Sequence, residues 1–186
     1  MLGDGNTKEQ ALKVGKESRS TVVVKDTLGV GDDPSHDFSA KVESTNGVGI
    51  IAERPMYFNY KGVWPGGHDV VGATSPAMYF NFAEGTCRPG FDSYICIQNP
   101  TDKDAEVGIV YLLGDGDTRE QTLTVSGNSR STVVVKDTLG VGDDAFHDFS
   151  AKVESTNGVG IIAERPMYFN YKGVWPGGHD VVGFVP

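Results

Sequence analysis

Four histidines are each followed by an aspartate, at His36-Asp37, His68-Asp69, His147-Asp148 and His179-Asp180. Imidazole beside carboxylate is a pairing that metals use; the plainer role is to cap loop ends and hydrogen-bond backbone. A second group is acidic. Asp137, Asp143, Asp144 and Asp148 recur as Asp26, Asp32, Asp33 and Asp37, and such hard oxygens suit Ca2+, although the spacing is not that of a calcium-binding helix–loop–helix. Trp64 and Trp175 each lie in the stretch GVWPGGHD. An indole there, with Tyr171 beside it, could stack on a sugar ring, or equally plug the end of a domain. Cys87 and Cys96 flank the turn-like Arg88-Pro-Gly-Phe91. They would either staple a hairpin as a disulfide, if the strict geometry is met, or sit apart as small core or loop residues.

Two further features invite chemistry. Glu164-Arg165 places two charges in an otherwise apolar run. Adjacent residues of a strand point to opposite faces, and a charge turned inward needs a partner. Lys152, Asn170 and Glu164 are also of the types that form an acid-assisted Lys–Asn cross-link. Nothing in the spacing sets a base onto a serine or cysteine nucleophile, so the residues point away from an enzyme and name no cofactor beyond Ca2+.

These groups are positioned by a duplication. The segment His36–Gly72 returns letter for letter as His147–Gly183, a period of 111 residues. A repeat this long marks an array of small domains. Residues 76–186 form one complete unit, and residues 1–75 correspond to its last two thirds, so the first unit has late strands only. Met1 falls opposite Leu112, inside the apolar run Val107–Leu113. We read this as a piece of a longer tandem array, or as a chain whose first unit is completed by another molecule. Each chain carries one copy of the early strands and two of the late ones, so a closed pair cannot complete both units.

With 25 glycines, 9 prolines and 38% hydrophobic residues, the composition suits a turn-rich β protein. Strands are expected at Ala77–Ala83, Asp92–Gln98, Glu106–Leu113, Arg119–Val125, Thr132–Lys136 and Asp148–Glu154. The last alternates Phe149, Ala151 and Val153 against Ser150, Lys152 and Glu154, the period of a half-buried strand. Gly114–Asp117 and Thr156–Gly158 read as hairpin turns. Thr138–Phe146 reads as a loop. Val159–Tyr171 is long for one strand, with Pro166 marking a bulge or an edge within it, and Lys172–Gly178 reads as a loop carrying Trp175. The expected fold is all-β: an antiparallel two-sheet sandwich, immunoglobulin-like, in tandem with an incomplete first copy. The connector Gly72–Pro76 is short, so neighbouring units should pack end to end.

A net charge of −9 argues against nucleic acid, whose phosphates need a basic face. No apolar run approaches the length that spans a bilayer, so no membrane insertion is expected.

The ordered motifs FAEGTCRPGFDSYICIQNP, SRSTVVV, VESTNGVGIIAERPMYFNY and GGHDVVG resemble a tandem β-sandwich repeat of secreted bacterial cell-surface proteins, actinobacterial in type and of unassigned function. The resemblance covers nearly the whole chain. It implies an extracellular structural module, a stalk or adhesin; the incomplete first copy adds the expectation of filaments with the chain itself as partner, and the alternative, read from the residues, is a module binding glycan or cell-wall polymer through Trp64, Trp175 and Tyr171. The acidic loops at Gly31–Ser35 and Gly142–Phe146, and the truncated first copy, depart from the family pattern.

Overall fold

A computed structural model describes residues 1–186. In chain order the strands are β1 (Met56–Tyr60), β2 (Trp64–His68), β3 (Tyr79–Thr86), β4 (Phe91–Asn99), β5 (Ala105–Leu113), β6 (Thr118–Val125), β7 (Ser129–Val134), β8 (Asp148–Ser155), β9 (Ile162–Glu164), β10 (Met167–Tyr171) and β11 (Trp175–His179). One-turn helices lie at Val24–Leu28 (α1) and Lys136–Leu139 (α2).

Strands β3 to β11 close an antiparallel two-sheet sandwich. One sheet runs β3-β8-β5-β6, the other β11-β10-β4-β7, with β9 also on β4. The architecture is immunoglobulin-like in its layering and has its own strand order. Alternation explains the core. Ile95 and Ile97 of β4, Val107, Ile109 and Tyr111 of β5, and Phe149, Ala151 and Val153 of β8 all point between the sheets and are nearly inaccessible. Burying such side chains supplies about 2 kcal/mol each.

At Pro166 the long run Val159–Tyr171 is interrupted between two strands, without the expected bulge. β9 and β10 lie along β4 in one continuous register, Glu164 opposite Cys96 and Met167 opposite Ser93. The turn Thr156–Gly158 does not make a hairpin. It carries the chain from β8 in one sheet to β9 in the other. The segment expected as a loop at Thr138–Phe146 begins with the last two residues of α2 and leads into a 3-10 turn at Ala145–His147. Trp175 is not on a loop: Trp175–His179 is β11, paired along its length with β10. Lys172 and Gly173, both at positive φ (54° and 73°), reverse the chain between them. Pro176 sits in β11 because that strand is an edge, where a missing N–H costs least.

The first copy does not build a sandwich. Of its expected late strands only β1 and β2 form, paired as β10 and β11 are. α1, a 3-10 turn at Pro34–His36 and the bridges Leu2↔Phe38 and Glu53↔Val71 complete its ordered contacts. Nor do the units pack end to end. The β1–β2 hairpin lies against β10 and β11 of the second copy, so closely that a Cβ on Gly66 would come within 3.1 Å of Gly177 Cα.

Candidate functional site

The outer face of the β11-β10-β4-β7 sheet is the best-built surface. Because Ile95 and Ile97 face inward, β4 turns Tyr94 and Cys96 outward, and β10 and β9 add Tyr168 and Glu164. The first copy covers this row. Tyr60 stacks on Tyr168 at 4.6 Å and 6° between planes, Phe58 meets the same ring edge-on at 4.9 Å, and the Tyr60 and Tyr94 hydroxyls share a hydrogen bond. Aromatic pairs of this kind contribute about 0.5–1.5 kcal/mol beyond their buried area.

Charges lock the two ends of the contact. Lys61 Nζ donates to Asp92 Oδ2 at 2.8 Å, and Lys136 donates to the other oxygen. Burial pushes the Asp92 carboxyl up, but the two lysines outweigh it and hold it below its ordinary value. Arg54 donates to Glu164 Oε2 at 3.1 Å and to the Asp180 carboxylate. Burial raises both Glu164 and Asp180 despite the opposing pull of Arg54. The expectation that a charge in AERPMYF needs a partner therefore holds for Glu164, whose partner lies 110 residues away. Arg165 is buried without an acid partner. It is 4% exposed, its Nε is unpaired, and its one side-chain hydrogen bond is to the Met167 sulfur, at 3.8 Å, with Glu84 and Asp180 acting on it only at longer range.

The hairpin tips differ in exposure. In the second copy Tyr171 and Trp175 stack at 6.1 Å and 20°, with Lys172 over the tyrosine at 5.1 Å. Both rings face solvent, at 45% and 61% exposed. In the first copy the same pair, Tyr60 and Trp64, is half-buried in the docked contact.

The four acidic residues proposed for Ca2+ do not converge. Asp143 and Asp148 share Arg88, which reaches Asp143 at 2.8 Å and grips Asp148 through Nε and Nη2. Asp144 caps the 3-10 turn and meets His147 Nδ1 at 2.8 Å, and Asp137 lies in the first turn of α2. No group of three or more His, Cys, Asp or Glu side chains forms a metal cluster. His147 is instead wrapped by its loop: a Cβ on Gly142 would come within 2.3 Å of the imidazole, so only glycine fits there.

Cys87 and Cys96 are free thiols, which corrects the disulfide expectation. Cys87 lies in the core, where burial pushes its thiol up to about 12, whereas Cys96 is turned to the outer face of β4 beside Thr132. Cys87 follows the end of β3 and is turned into the core, while Cys96 alternates with the inward-facing Ile95 and Ile97 of β4 and so faces outward. The Lys152, Asn170 and Glu164 triad is likewise dispersed, since β8 belongs to one sheet and β9 and β10 to the other.

No family model matches the sequence, and no curated protein matches it. Among solved structures, the chain is similar to Thermotoga maritima 1070, with a TM-score of 0.50 and 18% identity, over 61% of this chain and 97% of that one. It is also similar to the Anabaena sensory rhodopsin transducer, with a TM-score of 0.41 and 23% identity, over 50% of this chain and 91% of that one. The first similarity supports the sandwich fold, over about as much of the chain as residues 76–186 comprise.

Proposed function

We propose that the chain is a structural, self-associating β-repeat, non-enzymatic, of the extracellular cell-surface kind that its motifs resemble. One observation carries this reading. Side chains that form the core of the second copy are present in the first and lie open. Val153 and Ile161 are 0% exposed, while their counterparts Val42 and Ile50 are 61% and 49% exposed. Apolar, strand-forming chain without its partner strands is open to strand addition. On this reading the face takes the early strands of another chain, whose own late strands are thereby left open to a third, so growth is open-ended. Light scattering across a concentration series should show a ladder of species, abolished by Val42→Asp. A monomer at every concentration would remove the proposal.

A second reading, glycan binding, is favoured by the stacked and exposed Tyr171–Trp175 pair with Lys172 beside it. Trp64 drops out of that platform because it is half-buried. Binding on a glycan array that disappears in Trp175→Ala would support it, and an array with no binding would exclude it.

A further inference from the structure

We propose that the open face of the first copy is a second seat for residues 76–113 of the same chain, so that one early segment is shared between two interchangeable late ones. The inference uses the face on which the assembly reading also draws, but does not require assembly.

Three observations carry it. The first is identity at the contact. Every late-strand residue buried in the second copy's core has the same residue 111 positions earlier: Val14 for Val125, Val22 for Val133, Phe38 for Phe149, Val42 for Val153, Ile50 for Ile161, and so on to Met56 for Met167. The differences between copies fall mainly at positions 6–17, the counterpart of β6 and its flanking turns, at Pro34-Ser35 against Ala145-Phe146, and in the last three residues. The register that β8 makes with β3 and β5 is therefore available unchanged to residues 37–44.

The second is connectivity. In the complete unit Phe184 bridges Asn81, with the Asn81 N–H donating to the Phe184 carbonyl at 2.9 Å. The end of the late segment thus lies beside the start of the early one. If residues 3–75 take the places of 114–186, Ala73 takes the place of Phe184. Ala73 must then join Ala77, which lies four residues from Asn81. Along a strand that is about 13 Å, and with the step of about 5 Å between neighbouring strands the gap is about 14 Å, which four peptide steps just reach at about 14 Å. The link closes, but taut. The result is a circular permutant of the same sandwich, a rearrangement that domains with neighbouring ends tolerate.

The third is the docking contact, which survives the exchange. Asp92 and Tyr94 belong to the shared segment and stay in place. The displaced second copy carries Tyr171, Lys172 and Arg165 where the first has Tyr60, Lys61 and Arg54. Arg165, buried and unpaired now, would gain Glu53 and Asp69 as Arg54 now holds Glu164 and Asp180. The two seats are therefore close in free energy. The present one is favoured by the relaxed linker and by Phe146, which packs against the core where the first copy has Ser35.

The test places aspartate in one core at a time and reads the monomer fraction. Val153→Asp should keep a cooperative unfolding transition, and its amide protection should move from residues 149–153 to residues 38–42, by on the order of a hundredfold. Val42→Asp should leave the wild-type pattern, and the double variant should lose the transition. If Val153→Asp alone has no cooperative transition, the second seat does not exist. A milder Val153→Ala chain, still folded, checks this by showing raised protection at 38–42 relative to wild type; unchanged protection there overturns the proposal. A sandwich that returns in Val153→Asp only as concentration rises would assign the occupant to a second chain, overturning exchange while leaving assembly intact.

Discussion

Residues 37–44 and 148–155 have the same sequence and different structures. The second is strand β8, held between β3 and β5. The first is mostly extended chain without a ladder, touching Leu2 at Phe38. By contrast, β1–β2 and β10–β11 are nearly the same hairpin, and α1 and α2 are nearly the same turn of helix. What divides the two groups is the location of the partner. The hairpin and the helix turn find their hydrogen bonds within about a dozen residues. The partners of β8 come from the early third, which is present once. Period-two alternation is thus a capacity to form a strand, and a neighbouring strand realises it.

The strongest way to break this comparison is amide exchange. Amides at Phe149–Val153 should be protected over those at Phe38–Val42 by on the order of tenfold to a hundredfold, the ratio set by the small gap between the two seats. Equal protection would mean the first copy is folded as well. Core truncations sharpen it further. Ile97→Ala strikes the shared segment and should cost about 3 kcal/mol in urea unfolding. Ile161→Ala should cost less, because Ile50 offers an intact alternative, and Ile50→Ala should cost little. If Ile161→Ala costs as much as Ile97→Ala, the two copies are not interchangeable.

Smaller effects concern docking. Arg54→Ala leaves Glu164 and Asp180 without their counter-charge and should weaken the docked hairpin by about 2 kcal/mol, seen as a red shift of Trp64 emission. The pH dependence has two limbs. Glu164 and Asp180 have carboxyls raised by burial, so the docked state binds more protons than the released one. Their contribution is lost as pH rises through the raised values. Asp92 is lowered by its lysines against burial, so its contribution is lost as pH falls through its depressed value. Docking should be tightest between these limits, and Glu164→Gln should flatten the upper limb of the Trp64 profile. The smallest effect is in quenching: acrylamide should reach Trp175 more readily than Trp64, judged by comparing Trp64→Phe and Trp175→Phe chains.

The strands that place the core were legible because their periodicity is local: Phe149, Ala151 and Val153 announce a half-buried strand whatever lies beside them. β11 was hidden because Trp-Pro-Gly-Gly-His carries loop-forming residues in an edge position that tolerates them. The grip of Arg88 on Asp143 and Asp148 spans 55 and 60 residues and leaves no local signal, so four aspartates that suggested a cation site proved to be divided among an arginine clip, a turn cap and a helix start. The docked face was half legible. Charges inside AERPMYF required a partner, but its identity depended on which copy covered which sheet.

Pro176 gives the open core of the first copy a further meaning. It lies in the edge strand β11, opposite Asn170, and has no N–H to offer an incoming chain. Sticky apolar surface and a barred sheet border therefore coexist in one molecule. Ladder growth of the amyloid type is blunted at that border, whereas insertion of a matching set of strands needs no border at all. The proline thus acts as a gatekeeper, guarding a chain rich in exposed valine and isoleucine against indiscriminate stacking at that border.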